Sequence, residues 1–212
     1  MPARISVLAG VNGAGKSSVL GRLARAQGGR YFNPDEYARE LREKVPGLSV
    51  PDSNAQAWAK GYQGLLDAIE PGQDYAFEST LGSAKSIPSA LRAAAAKGME
   101  VRIYYVGLDT VERHIARVAK RKLEGGHDIP EADIRRRYTT SRQNLIDLIP
   151  VAKEIRVFDN SAEGTLGQML AAPEPEIVLH VLDHKVIMPA AVEALTKTPE
   201  WAKAIVAKAM GL

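Results

Sequence analysis

The sequence has no cysteine. Disulfides, thiolate catalysis and Cys-ligated zinc are excluded together, so the fold must be held by packing. There is no apolar run near the roughly 18 to 20 residues that a membrane span requires, and a strand-like segment follows the N-terminus at once, which leaves no room for a secretory leader. The expectation is a cytoplasmic protein with no membrane partner. Charge of one sign is also scarce. The net charge of +3 is too small to argue for a nucleic-acid partner. Four histidines are present, and His114, His127, His180 and His184 fall into no H-E-x-x-H or similar ligand pattern. His180 and His184 have the spacing of a helical metal pair but flank a strand-like segment, so they are read as structural or surface groups. No internal repeat or low-complexity tract is visible.

What is present is ordinary in bulk and specific in one place. At 212 residues, 45% hydrophobic and 25% charged, the chain suits one compact α/β unit. Residues 10–17 read Gly10-Val11-Asn12-Gly13-Ala14-Gly15-Lys16-Ser17, which satisfies G-x-x-x-x-G-K-[ST] at every position. A short apolar strand at 5–9 precedes it, and helical apolar spacing over 18–25 follows. Glycines there let successive backbone N–H groups turn inward on phosphates, with the positive end of a helix behind them. The nucleotide-binding set is therefore Gly10, Asn12, Gly13, Ala14, Gly15, Lys16, Ser17 and Ser18. Lys16 reaches the β/γ-phosphates, and the Ser17 hydroxyl takes one Mg²⁺ position.

Further along, the first helix should stop at the glycines 28–29, and 30–33 read as a strand that brings Asp35 to the rim where the phosphate loop sits. Position alone leaves Asp35 open as a reactive carboxylate or as the N-cap of a helix over 36–44. A helix is expected over 54–70, with Trp58 and Tyr62 in the core. The strand at 74–80 leaves Glu78, Ser79 and Thr80 at its C-terminal end. A helix over 84–97 and a strand over 100–108 complete a β–α alternation that predicts a mostly parallel sheet covered by helices on both faces.

Basic residues concentrate between Glu112 and Arg142, where nine Lys or Arg stand against five Asp or Glu. Asp109-Thr110-Val111-Glu112 has capping-box spacing, and Asp109 reads as an N-cap. Arg113, Arg117 and Arg121 follow at helical spacing on one face. Residues 124–130 hold two glycines and a proline, a hinge, and a helix over 131–149 carries Arg135, Arg136, Arg137 and Arg142. This is the pattern of an arginine-rich helical lid over about 112–149 that closes on a triphosphate. A solvated basic hairpin is the alternative. The segment 153–161 reads as the last sheet strand. A C-terminal appendage over 173–212, packing on the same domain as 1–172, shows a hairpin around Asp183-His184, helices over 189–197 and 199–210, and no catalytic signature.

No N-K-x-D motif for guanine is present, and the two segments ending in Asp109 and Asp159 are imperfect Mg²⁺-shell strands. An Asp after the second strand, a Glu in the third and an arginine lid are instead the equipment of a small-molecule kinase, which needs charge neutralisation, in-line positioning and a base. With G-V-N-G-A-G-K-S at 10–17, N-P-D at 33–35, F-E-S-T at 77–80, R-V-A-K-R at 117–121, G-G-H-D-I-P at 125–130, R-Y at 137–138, N-L at 144–145 and D-N-S at 159–161, the chain resembles the zeta-toxin family of P-loop kinases. The match is fuller to the compact chromosomal branch and covers residues up to about 161. The resemblance implies phosphorylation of a UDP-N-acetyl sugar, chiefly the 3′-hydroxyl of UDP-N-acetylglucosamine, by ATP or GTP, and an antitoxin protein as partner. It further implies Asp35 as the base, Glu78 as a substrate-binding acid and Lys16 as the phosphate-binding lysine. Arg117 and Arg121 are the lid arginines, with Arg137 third; Thr80 and Arg137 join the acceptor side. Two alternatives stay open: a metabolic kinase for another hydroxyl compound, and a non-catalytic nucleotide-binding partner.

Overall fold

The computed structural model describes residues 1–19, 31–83, 85–124, 128–162 and 174–212. Most of the helix expected after the loop, its glycine stop at 28–29, the hinge residues 125–127 and the segment 163–173 lie outside the described residues. The Ser18 side chain does too.

Strand β1 (Arg4–Ala9) is buried from Ile5 onward, as expected of a central parallel strand covered on both faces. It lies between β3 (Tyr75–Ser79) and β4 (Glu100–Gly107), parallel to both, with Ala9 opposite Ser79 and Tyr105. The short β2 (Tyr31–Phe32) adds in parallel outside β3, and β5 (Glu154–Asp159) in parallel outside β4. Five strands therefore end at one edge, and the loops that follow them share it. The sheet does not stop at β5, contrary to the sequence reading. β6 (Glu176–Leu182) pairs antiparallel with β5, and β7 (Lys185–Met188) pairs with β6, giving the order β2-β3-β1-β4-β5-β6-β7. Asp183 and His184 take the positive φ values of 51° and 60° that a tight hairpin turn demands.

Helix α1 starts at Lys16 and is described to Val19. Helices α2 (Pro34–Lys44), α3 (Val50–Ile69) and α4 (Ser86–Ala96) follow. Three helix starts differ from a cap or boundary that the spacing offered. Asp35 does not cap α2: Asn33 does, its Oδ1 accepting the N–H of Asp35 at 2.9 Å and of Glu36 at 3.3 Å, with Pro34 in the first turn. Helix α3 begins at Val50 rather than near residue 54. Ser49 caps it, and Pro51 sits where a missing N–H costs nothing. Helix α5 (Val111–Leu123) is likewise capped by Thr110, whose Oγ1 accepts from the Arg113 N–H, while Asp109 pairs with the Arg113 side chain.

Helix α6 (Glu131–Leu148) has two halves with different surroundings. Its C-terminal half buries Ser141, Leu145 and Leu148, the leucines in the main core with Ile5, Val7, Ile103 and Ile155. The tail adds Val178, Leu179 and Val181, and from α7 (Glu200–Met210) Trp201, Ala202, Ile205 and Val206, to that same core. The segment 192–196 is a 3₁₀ turn rather than an α-helix. No helix among the described residues is long and apolar enough to cross a membrane.

Candidate functional site

Three glycines shape the loop between β1 and α1. Gly10, Gly13 and Gly15 have φ of 141°, 81° and 93°, a region L side chains rarely adopt. Their contacts are as close: a Cβ on Gly10 would collide with the Val106 carbonyl, one on Gly13 would lie 2.7 Å from the His114 carbonyl, and one on Gly15 would lie 2.5 Å from Asn160 Nδ2. Side chains from distant elements then tie the loop down. Asn160 Nδ2 donates to the Ala14 carbonyl at 2.8 Å, and His114 Nδ1, which must carry the proton, donates to the Asn12 carbonyl at 2.9 Å. Burial holds the His114 ring well below its ordinary pKa, at about 4, helped by the charges of Lys16, Arg117 and Arg142 and opposed by the bond to Asn12. The ring is neutral and structural.

Lys16 opens α1 at the floor of the loop. Burial lowers its pKa, with Glu78 and Asp35 pulling the other way and Arg121 and Arg137 adding to the fall. These four charges mark out the site. Glu78, at the end of β3, is buried and takes three hydrogen bonds: from Ser17 Oγ at 3.2 Å, from the Tyr31 hydroxyl, and from Asn33 Nδ2 at 3.4 Å. Asp35 is half exposed in the first turn of α2, 3.7 Å from Arg121 Nη1. Thr80 stands in the turn after β3, its Oγ1 accepting from the Gly82 N–H. That turn puts Leu81 at φ 50° with its side chain buried. It is riveted to α6 by Ser141 Oγ, which donates to the Thr80 carbonyl at 2.5 Å, and by Asn144 Nδ2, which donates to the Leu81 and Ser83 carbonyls.

The arginines divide by what they touch. Arg113, Arg135 and Arg136 form ion pairs with neighbouring acids, Asp109, Glu112, Glu131 and Asp133. Arg117, Arg121 and Arg137 lie nearer the loop, although Arg121 also meets Asp35 and Arg137 also meets Asp133, each at 3.7 Å. Arg117 Nη2 donates to the Asn160 carbonyl at 2.9 Å, and Arg137 Nη1 donates to Asn12 Oδ1 at 2.8 Å. Burial lowers the Arg137 pKa, with the charges of Asp133 and Asp35 opposing. Arg121 Nε and Nη2 are buried without a hydrogen-bond partner among the described residues. Buried guanidinium donors left unpaired are costly, and an anion is the ligand that would satisfy them.

Between these groups lies a cavity of about 340 Å³. It is lined by Asn12, Asp35, Glu78, Thr80 and Arg137, and from α3 by Asn54, Trp58 and Tyr62. Trp58 is not a core residue. Its ring is 46% exposed and stacks on Tyr62, with centroids 5.3 Å apart and planes 12° from parallel. Helix α3 places Ala57 and Gly61 on the buried face instead, and the Phe32 ring fills the space beside Gly61.

No group of three or more His, Asp or Glu among the described residues could hold a metal by itself. The donors at the loop are one hydroxyl, Ser17, and the carboxylate of Glu78 behind it. That set suits Mg²⁺, which takes one or two protein oxygens and completes its shell with phosphate oxygens and water. The loop, the half-buried Lys16 and the unpaired donors of Arg121 suit a triphosphate.

The sequence offered no sign of three of these contacts. Asn160 joins the loop to α5 across a separation of 146 residues, Arg137 reaches Asn12 across 125, and Tyr31 reaches Glu78 across 47. Asn160 was flagged within the D-N-S motif, and Arg137 within R-Y and as a third lid arginine, but not for these contacts.

The family model described as AAA domain matches residues 5–141. An uncharacterized protein of Haemophilus influenzae is 32% identical over 130 residues, covering 61% of this chain and 88% of that protein. The crystal structure of the AvrRxo1-ORF1:AvrRxo1-ORF2 complex with sulphate ions gives a TM-score of 0.66 at 17% identity, over 95% of this chain and 64% of that one. The same complex was also solved with ATP. This chain therefore spans less than two thirds of the AvrRxo1 chain. The PezAT chromosomal toxin–antitoxin system of Streptococcus pneumoniae gives a TM-score of 0.53 at 16% identity, over 75% of this chain and 68% of that one. At these identities the likeness shows a shared fold, the P-loop kinase-like one expected from the sequence.

Proposed function

The chain belongs to the AAA-domain family, and from that premise we propose that it is a small-molecule kinase that transfers the γ-phosphate of ATP to a sugar hydroxyl. The acceptor we propose is a UDP-N-acetyl sugar, as in the zeta toxins the chain resembles. The observation that carries the reading is the meeting of Lys16, Asp35, Glu78, Arg121 and Arg137 around one loop and one cavity.

In this mechanism the loop N–H groups, Lys16 and Ser17 hold the triphosphate and its Mg²⁺; the ion, when bound, neutralises charge on the β- and γ-phosphates. Glu78 orients the Ser17 hydroxyl. Asp35 accepts the proton of the acceptor hydroxyl as that oxygen bonds to the γ-phosphorus, and the bridging oxygen leaves with ADP. Arg121, with Arg117 and Arg137, meets the negative charge spread over the transferred group. Glu78, Thr80 and Arg137 also bound the acceptor side of the cavity. A partner protein of antitoxin type belongs to the same reading, since the PezAT neighbour is described as a toxin–antitoxin system and the AvrRxo1 neighbour as a complex with a second protein.

The test is ADP release with Mg-ATP and UDP-N-acetylglucosamine, with Lys16→Ala as control. The wild type should turn over and yield a phosphorylated sugar nucleotide, and Lys16→Ala should lose transfer and bind nucleotide weakly. Turnover with some other hydroxyl compound but none with UDP-sugars would reject the acceptor; unchanged turnover in Lys16→Ala would reject the kinase site.

A further inference from the structure

Trp58 is the largest exposed side chain that lines the cavity, and α3 holds it there without covering it. An indole left half in water forgoes most of the stabilisation its burial would bring. The residue is nevertheless ordered by its neighbours. Tyr62, one helical turn on, stacks on the ring, while Trp58 stays 46% exposed and lines the cavity. Asn54, one turn earlier on α3, also lines the cavity and presents a side-chain amide that both donates and accepts. Asp35, Glu78 and Arg137 line the same cavity. The cavity thus combines a flat aromatic surface and a hydrogen-bonding amide, both from α3, with charged side chains and Asn12 of the phosphate loop.

We propose that Trp58, backed by Tyr62, is the platform on which a planar heteroaromatic ring of the acceptor stacks, with Asn54 reading the ring's edge. The site thereby selects hydroxyl acceptors of nucleotide type over free sugars. This rests on the kinase reading above and deepens it: the ring anchors the far end of the acceptor so that its hydroxyl falls near Asp35. Stacking of a base on an aromatic side chain is sequence-tolerant because every base has a π-face, so Trp58 supplies affinity for a flat ring and Asn54 supplies the preference among rings.

The chain has two tryptophans, and the other, Trp201, is buried in the core. Ligand contact with Trp58 can therefore be read by fluorescence without any turnover. With the phosphate loop filled by Mg²⁺ and a non-hydrolysable ATP analogue, uridine, adenosine and N-acetylglucosamine 1-phosphate are titrated separately and their affinities measured by calorimetry. At least one nucleoside should bind and quench the emission, and the ring-free sugar phosphate should not quench. Trp58→Leu should weaken nucleoside binding about tenfold or more, the scale of one lost base–aromatic stack, while Trp58→Phe stays within about threefold of wild type. Thermal melts of both variants confirm an intact fold. Equal affinity in Trp58→Leu and wild type, or no nucleoside binding at all, overturns the platform. Trp58-dependent nucleoside binding without transfer to UDP-N-acetylglucosamine upholds the platform and rejects the acceptor proposed above.

Discussion

Replacing Asp35 by Asn removes one negative charge and one proton acceptor and leaves the volume of the side chain unchanged. The structure bounds what this does to stability. The N-cap of α2 belongs to Asn33, so the capping bonds survive. Asp35 lies in the first turn of α2, where a carboxylate gains about 0.3–1 kcal/mol from the helix dipole. Its ion pair with Arg121 at 3.7 Å joins side chains 49% and 38% exposed. Exposed pairs of this kind contribute about 0–1 kcal/mol. The combined loss is below about 2 kcal/mol, which for a chain of this size is a fall in Tm of no more than about 8 °C. Transfer should fall far more. A positioned base is worth about 10² to 10⁴ in rate, roughly 3 to 5 kcal/mol of barrier. Calorimetric melting, ATP-analogue titration and ADP release on this one variant separate the two effects. A Tm within those limits, unchanged nucleotide affinity and a hundredfold loss of kcat are expected. Turnover within about threefold of wild type would sink Asp35 as the base and leave it a surface carboxylate.

Other perturbations test other parts of the argument. Arg121→Ala should lower kcat by about 10³ with little change in the KM for ATP, the mark of an arginine that meets transition-state charge; steady-state kinetics that move only KM return it to a solvated helix face. His114, neutral in the fold with a pKa of about 4 against 6.5 when unfolded, takes up its proton earlier in the unfolded chain. Stability should therefore fall as pH drops from 6.5 toward 4, by on the order of 3 kcal/mol across that window. Urea unfolding midpoints at pH 7 and pH 5 should separate less in His114→Gln than in wild type, and an equal separation would remove His114 as the cause. Ending the chain at residue 173 exposes the β5 edge and strips Val178, Leu179, Val181, Trp201, Ile205 and Val206 from the core. At about 1.5–3 kcal/mol for each large side chain, the loss is comparable to the whole stability of a typical domain. The shortened chain should aggregate or fail to melt cooperatively, and a sharp thermal transition would show that 1–173 folds alone.

The parts of the fold that were legible in the sequence are those set by local pattern. The apolar run of β1, the glycine-rich loop and the helix that begins at Lys16 are contiguous, and the alternation that followed them gave a parallel sheet. Where structure and spacing part, a local contact that the pattern does not show decides. Asn33 outcompetes Asp35 as cap because its Oδ1 reaches two N–H groups. Pro51 reads as a helix breaker but is harmless in a first turn. Trp58 belongs to an apolar stripe, yet small residues, Ala57 and Gly61, face the sheet because the Phe32 ring occupies the space beside them. The two extra strands were missed as sheet members because antiparallel addition at an edge has no signature beyond a hairpin.

The site divides along the same line, and the division bears on how the loop keeps its shape before any phosphate arrives. Lys16, Ser17, Asp35 and Glu78 were named because each sits in or beside a motif whose chemistry is local. The contacts that hold them were not foreseen, although Arg137 itself was named as a lid arginine. Asn160 and His114 each bond a loop carbonyl, those of Ala14 and Asn12, while Arg137 bonds the Asn12 side chain. All three come from elements after β4, and no periodicity links them to residues 10–17. Arg142 continues this support: its guanidinium lies 3.8 Å from the Tyr138 ring centroid and donates to the Trp201 carbonyl at 3.4 Å. Tyr138 in turn meets the His114 ring edge-on. The contacts of the described tail residues with this framework are packing ones. Trp201 packs against Gly107 at the end of β4, where any side chain would collide with the indole, and so fixes the strand whose neighbouring carbonyl, Val106, abuts Gly10. A continuous set of contacts thus runs from α7 through α6 and α5 to the phosphate loop, which makes the C-terminal residues part of the framework that preorganises the loop's N–H groups.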